Sequence, residues 1–336
     1  LTKGVALISV FGIGNPLMDY VAYAGFDLIE SLGAKPGTMN LITEEHRKAL
    51  LDRIDKYKNI PGGSCANTIR GLAWLAQAKP MPRPLYTGAV GKDALGQEYI
   101  SQMRSLGIEV RISQKERETG VSVIIVTPDF ERTMFTYLGS CREYSKEDLD
   151  TSLLRQSQYL HTTGYMWDTD VQKQATSFAI AEARANRVAV SFDLADPFVV
   201  QRYRSEFVRW IPKTVDILFG NREEMALMLK ADGEDEDLIR EAQSLAALTI
   251  MKVGAKGCYV NDRGQIHRIE GKRVKVVDTI GAGDFFAAGF LFGMVNGKSV
   301  RQSAALANSF AAGIVSVEGC SLYRLSQQEI LASIDT

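Results

Sequence analysis

The sequence predicts an α/β fold: a doubly wound, mostly parallel sheet flanked by helices, with a small β lid. Three observations predict it. Short β-rich runs alternate with helical patterns over most of the 336 residues, the rhythm that builds a parallel sheet covered on both faces. One stretch breaks that rhythm with two consecutive strand-like runs. Two of the helical patterns open on glycine-rich turns, whose bare backbone suits close approach to a ligand.

In chain order, strand patterns cover Ala6 to Ile13, Leu85 to Val90, Tyr159 to Thr163, Val188 to Asp193, Ile217 to Gly220, Leu248 to Val253 and Cys258 to Asn261. Helical patterns cover Thr43 to Tyr57, Ala66 to Ala76, Gln97 to Leu106, Asp170 to Ala185 and Arg222 to Lys230, and two more close the chain, Asp284 to Val295 and Arg301 to Val317. The apolar run Val5 to Ile13 leads straight into Gly14-Asn15-Pro16 without a small-residue cleavage site, so it reads as a buried strand and not a signal peptide. The interruption is Val121 to Thr127 and Arg132 to Leu138, joined by the turn Pro128-Asp129-Phe130-Glu131. That is an antiparallel hairpin, either a lid over a site or an extension of the sheet edge. The length suggests roughly two units. The expected division is a large unit of residues 1–14, 46–110 and 145–336, and a lid of 15–45 and 111–144.

Composition removes several function classes. A net charge of −1 gives no overall pull toward nucleic acid or anionic membrane. The apolar runs Val121 to Val126 and Phe285 to Val295 fall short of the ~20 residues that span a bilayer. Cys65, Cys141, Cys258 and Cys320 are scattered without a Cys-x-x-Cys pair, which argues against zinc and disulfides and fits a reducing, cytoplasmic setting. His46, His161 and His267 have no metal-ligand spacing. Gly12-Ile13-Gly14 lacks the third glycine of a dinucleotide turn, Leu17 standing there. The run Gly293 to Ser299 is one residue short of a phosphate loop and follows a helix instead of a strand. A nicotinamide oxidoreductase and a P-loop enzyme are thereby disfavoured.

The segment with chemistry in it is Val274 to Asp284, read as a strand, a glycine-rich turn and a helix. Gly281, Ala282 and Gly283 leave their backbone N–H groups open to an oxyanion, and the helix adds its unpaired N–H groups and positive dipole end. Asp284, in the first turn, is placed to accept a proton from a hydroxyl attacking a phosphoryl group, a reaction for which a plain carboxylate is an adequate base. Alone, the same residues describe a tight turn and an ordinary helix-terminal acid. A second glycine turn opening a helix, Pro61-Gly62-Gly63-Ser64-Cys65-Ala66-Asn67, supports the chemical reading.

Together the two clusters resemble the PfkB (ribokinase-like) family of carbohydrate and nucleoside kinases. Asp278-Thr279-Ile280-Gly281-Ala282-Gly283-Asp284 is similar to that family's C-terminal signature, and Gly62-Gly63 with Asn67 to its N-terminal one, about 220 residues earlier. Gly91-Lys92-Asp93-Ala94-Leu95-Gly96 and the hairpin also fall where the family has them. The resemblance implies a ribokinase-like fold and an ATP-dependent kinase, with Asp284 as general base and Gly281, Ala282 and Gly283 as the anion hole. Asn221-Arg222-Glu223-Glu224 is similar to the family's Asn-x-x-Glu motif, which implies Glu224 near Mg²⁺ and the phosphates; Asn221 is equally a helix N-cap. Gly254 and Gly257 resemble the loop over the nucleotide, with Lys252 where the family more often has threonine, a site where lysine could supply charge to a phosphate. Asn308 is a candidate for the adenine side. Asp278 and the Ile280 carbonyl resemble the family's monovalent-cation site, implying K⁺ as an activator.

For the acceptor, Asn15 and Asp19 follow the first strand, and a carboxylate can bind two adjacent ribose hydroxyls; Asp19 could also be a solvated turn residue. Asn15, Asp19, Gly62, Gly63 and Asn67 form the expected acceptor set, and Arg132 resembles a lid arginine that reaches the transferring phosphate. Gly14-Asn15-Pro16-Leu17-Met18-Asp19 is most similar to the adenosine kinase-type members. A nucleoside such as adenosine is favoured, with free ribose or fructose the alternative; Tyr20, Met39, Phe135 or Tyr137 could stack on a base. A catalytically idle sensor is disfavoured by the intact Asp284. The chain is expected to be a monomer, or a homodimer paired through the apolar edge Val121 to Val126.

Overall fold

The computed structural model describes residues 7–129 and 131–334. Ala6, in the first predicted strand, and Phe130, in the hairpin turn, lie outside the described residues, as does Val5. Among the described residues, fourteen strands form two sheets. They are β1 (Ile8–Ile13), β2 (Leu17–Tyr23), β3 (Met39–Leu41), β4 (Lys58–Gly62), β5 (Arg83–Gly91), β6 (Glu109–Lys115), β7 (Gly120–Val126), β8 (Arg132–Tyr137), β9 (Ser157–Thr163), β10 (Ala189–Asp193), β11 (Ile217–Asn221), β12 (Leu248–Lys252), β13 (Gly257–Asp262) and β14 (Gln265–Glu270).

The large sheet has the order β14-β13-β12-β11-β10-β9-β1-β5-β6. It is parallel from β12 to β6, and β13 and β14 add an antiparallel edge. Alternation along each strand sends neighbouring residues to opposite faces. Val10, Phe219 and Ile250 join one core with Phe285, Phe290 and Phe310 of the helices Ala282–Val295 and Val300–Val315. Phe11, Leu218 and Met251 join the other, with Ala179 and Phe207 of the helices Asp170–Ala185 and Pro197–Thr214. Both faces are covered, which is why these strands read as nearly continuous apolar runs.

The second sheet, β3-β8-β7-β2-β4, is the lid. Val121, Val123 and Ile125 pack with Ala22, Phe135, Leu28, Ile29 and Leu50 on one face, while Ser122 and Ile124 line a cavity on the other. The predicted hairpin is β7 and β8. It is no edge, because β2 pairs along the whole of β7 on its other side. The apolar run Val121 to Val126 is therefore buried inside a sheet and offers no free strand edge to a second copy.

Several sequence expectations change. Lys58–Gly62 pairs antiparallel with β2 and so belongs to the lid sheet, whereas 111–115 lies in β6 at the edge of the large sheet. Val274 to Val277 forms no strand; Val277 N and Asp278 N donate to the Val315 carbonyl at the end of a helix. The helix expected from Thr43 to Tyr57 stops at Leu51. The helix Pro197–Thr214 went unread, although Asp196 accepts from the Phe198 N–H and Pro197 begins the helix, a standard start signal.

Candidate active site

The site forms where strand order turns outward from β1. In an open parallel sheet, neighbouring carboxyl ends there splay apart and leave a crevice. Asn15 after β1, Gly164 after β9, Asp193 of β10, Asn221 of β11 and Lys252 of β12 all line one cavity of ≈ 640 Å³, roofed by lid residues including Asp19, Met39, Ser122, Arg132 and Met134.

The helix Ala282–Val295 points its N-terminus into this cavity. Its N-cap, Gly281, has φ 71°, a left-handed conformation that favours glycine, and a Cβ there would stand 2.6 Å from the Cys320 sulfur. Gly281 has no side chain to cap the first turn; the Ala282 N–H donates to the Thr279 carbonyl at 3.3 Å, while the N–H groups of Gly283 and Asp284 are left for an anion. Asp284 follows in that first turn. Its Oδ1 accepts from Ser64 Oγ at 2.6 Å and its Oδ2 from Asn67 Nδ2 at 2.9 Å. Asn67 is in turn fixed by Arg70, whose Nη1 donates to Asn67 Oδ1 at 2.9 Å and to the Pro61 carbonyl at 2.7 Å. Thr68 Oγ1 donates to the Asp284 carbonyl at 3.0 Å. The two glycine turns of the sequence thus meet across 217 positions. Burial pushes the Asp284 carboxyl up to about 6, opposed by the Ser64 and Asn67 hydrogen bonds.

Gly63, the N-cap of the helix Ser64–Ala78, has φ 96°, and a Cβ there would meet the Asn15 carbonyl at 2.2 Å. This close approach seats Ser64 and Asn67 against Asp284. Asp19 lies on β2, within the lid sheet, and is no turn residue. Burial raises its carboxyl to about 7, with Arg70 opposing and Asp284 adding to the shift. Asn15 lines the cavity while donating to the Tyr165 carbonyl and accepting from Gln172 Nε2 at 2.7 Å.

On the other side of the glycine turn, Lys252 Nζ pairs with Asp193 Oδ2 at 2.9 Å. Its ammonium lies 3.1 Å from where a Cβ on Gly283 would stand, so the residue without a side chain makes room for a fixed positive charge. Burial draws the lysine downward, but Asp193 and Glu224 outweigh it and hold the ammonium protonated. Glu224 lines the same cavity and forms a reciprocal capping box with Asn221; Asn221 N and Nδ2 donate to its two oxygens at 2.7 Å. The N-cap role of Asn221 is real, and burial pushes the Glu224 carboxyl up.

Not every predicted residue reaches the cavity. Gly62 lies beside it, its carbonyl accepting from Tyr99 and its Cα covered by the Asp19 carboxylate. Gly254 lines the cavity, whereas Gly257 serves a tight strand crossing against the Ile269 carbonyl. Asn308 donates to the Ile269 and Glu270 carbonyls and ties a helix to β14. It does not line the cavity. Arg132 borders the cavity, but its guanidinium turns onto Asp278. Of the proposed stacking residues, only Met39 lines the cavity; Tyr20 stacks on Tyr57. Sequence reasoning missed Ser64, Arg70 and Asp193, and also Phe198, Val199, Arg202 and Tyr203 on the unread helix. The start signal at Asp196-Pro197 would have found that helix.

Two metal ions were expected here. Among the described residues no group of three or more His, Cys, Asp or Glu side chains could hold a metal. Mg²⁺ commonly binds through one or two carboxylates together with phosphates, and the Glu224 carboxylate at the cavity wall is a hard oxygen donor of that kind. The monovalent-cation set does not fit. Asp278 accepts from Arg132, Gly319 N and Ile280 N, and the Ile280 carbonyl accepts from the Cys320 thiol.

A doubly wound sheet with an anion-binding helix start, an adjoining oriented carboxylate and a β lid defines a phosphotransferase of the ribokinase-like fold. Comparison with known proteins agrees. The model of the pfkB family of carbohydrate kinases matches residues 27–326, and the chain belongs to that family. The adenosine kinase of Schizophyllum commune is 27% identical over 320 residues, 88% of this chain and 91% of the relative. The crystal structure of adenosine kinase from Sinorhizobium meliloti has a TM-score of 0.89 and 31% identity, covering 98% of this chain and 99% of the other. A probable sugar kinase from Rhizobium etli has a TM-score of 0.90 and 28% identity, covering 97% of this chain and 100% of the other.

Proposed function

We propose that this kinase transfers the γ-phosphoryl group of ATP to a hydroxyl of a nucleoside, adenosine being the favoured acceptor, with Asp284 as the base. The observation that supports this most is the Asp284 carboxylate, aimed by Ser64 and Asn67 at the helix start where the Gly283 and Asp284 N–H groups are left open. The acceptor hydroxyl gives its proton to Asp284 as its oxygen bonds to phosphorus and the bond to ADP breaks. The glycine turn and Lys252 stabilise the charge on the migrating group. Mg²⁺, held through Glu224, would neutralise phosphate charge when bound.

The nucleoside reading has two supports. Asp19 faces the cavity opposite the base and can accept from paired ribose hydroxyls. Met39, Leu41, Met134, Leu138, Phe198 and Val199 form an apolar wall suited to a purine. A second reading, a free sugar such as ribose or fructose, draws on Glu131, Asp168 and Arg202 at the same cavity and on the likeness to the Rhizobium etli protein.

Steady-state turnover with Mg-ATP across adenosine, other nucleosides, ribose and fructose tests both. Adenosine is expected to show the highest kcat/KM, and a preference for a free sugar would replace the first reading by the second. Asp284→Asn is expected to lower kcat by at least ~10²-fold with modest change in ATP binding. Near-normal turnover in that variant would remove Asp284 from the mechanism.

A further inference from the structure

The Asp278 carboxylate lies buried beside the glycine turn, its side chain 1% exposed. Buried anions require a counter-charge and hydrogen-bond donors, and both come from within the chain. Oδ1 accepts from Ile280 N at 2.9 Å. Oδ2 accepts from Gly319 N at 2.6 Å and from the guanidinium of Arg132, itself 9% exposed. The neighbouring Ile280 carbonyl, which would be the second oxygen for a cation, accepts from Cys320 Sγ at 3.1 Å. Burial raises that thiol well above its ordinary range, so it keeps its proton and remains a donor. Positive charge and donors already occupy the place, at Asp278 and Ile280 just before Gly281, where the family resemblance put an alkali cation.

We infer that the Arg132 guanidinium takes the place of a monovalent cation beside the anion-binding turn, so that this enzyme works without potassium. Its position adds a consequence that a bound ion would not have. Arg132 begins β8 of the lid, whereas Asp278 belongs to the segment leading into the catalytic helix. The compensating charge therefore arrives with the lid. Tyr23 on β2 and Lys58 on β4 meet Glu318 in the loop that also supplies Gly319 N, so closure seats Arg132 together with a second polar contact. Support for the anion hole is tied to a closed lid, and an open lid leaves Asp278 without its partner.

The kinetic arm rests on the kinase reading; a binding arm does not. Turnover of the full chain is measured in potassium chloride and in tetramethylammonium chloride at equal ionic strength, which holds general screening constant. Expected are kcat and KM for ATP that agree within about two-fold. Activation of about ten-fold or more by potassium would overturn the inference. Arg132→Met, which keeps length and removes charge, is expected to lower kcat by about ten-fold or more and to become potassium-responsive. Arg132→Lys is expected to remain potassium-insensitive. An Arg132→Met enzyme as active and as cation-insensitive as the parent would sink the idea. Crystals soaked in thallium chloride supply the readout independent of activity. No anomalous peak is expected at Asp278 in the parent, and one is expected in Arg132→Met. A peak at Asp278 in the parent overturns the inference. If no acceptor is phosphorylated under any salt, the kinase reading has failed, and the thallium maps still decide this one.

Discussion

Asp284 is a weak acid made weaker by its surroundings, and that has a kinetic signature. With its carboxyl raised to about 6 by burial, Asp284 is protonated below that pH and, as the proposed base, would be idle there. The expected outcome is an acid limb in kcat/KM near pH 6, measured on the free enzyme, with turnover falling as pH falls through it. A limb near pH 4 would show the carboxylate to be solvated. His161 does not contribute to such a limb: burial pulls it down to about 4 and its Nδ1 is engaged by Ser191. Lys252 makes a second residue-scale prediction. It contributes a fixed ammonium beside Gly283, so Lys252→Thr should weaken ATP binding and leave Asp193 as an uncompensated carboxylate. KM for ATP is expected to rise by about ten-fold or more, the scale of a lost charge-assisted contact of roughly 1.5–3 kcal/mol. An unchanged KM would confine Lys252 to a structural ion pair.

The turn 279–281 is the element on which the proposed phosphate binding depends. Gly281→Ala forces a side chain into left-handed backbone and against the Cys320 sulfur. The backbone alone costs about 1–2 kcal/mol, and the contact adds to it. Thermal melts should show a lower Tm, and ATP affinity should fall with it. A variant of parental stability and affinity would show that the turn relaxes freely. The helix it opens is buried almost all round, from Phe285 to Gly293. This explains why the segment reads in sequence as an unbroken apolar run without amphipathic period. It also sets the turn at the start of a helix whose residues 285–293 are packed into the core.

At the scale of the whole molecule, the lid and the large unit bring two carboxylates to one cavity. Asp19 on the lid faces Asp284 on the large unit, and its carboxyl is raised to about 7. A folded-state pKa above the unfolded value means that its contribution to stability is fully present below the unfolded pKa and lost as pH rises through about 7. Asp19→Asn removes that loss. Its melting temperature should exceed the parent's most clearly above pH 7, with the gap closing toward pH 4. A gap independent of pH would show that Asp19 ionises without penalty. The same variant should weaken acceptor binding more than ATP binding, because Asp19 lies on the lid and far from the Lys252 side in chain and sheet.

The sequence by itself determined the layered α/β class and the two glycine turns, because period, punctuation and signature spacing are local properties. It also carried the family, since Asp278 to Asp284 and Gly62 to Asn67 are contiguous motifs. Only the tertiary structure decided what those motifs touch. That Ser64 orients Asp284, that Asp193 holds Lys252, and that Asn308 serves a strand instead of the cavity all depend on contacts across tens to hundreds of positions. The sheet to which Lys58–Gly62 belongs, and the pairing of Arg132 with Asp278, follow from strand register and lid closure. Such partners are chosen by the free energy of burying charge and backbone together, which no short stretch of residues contains.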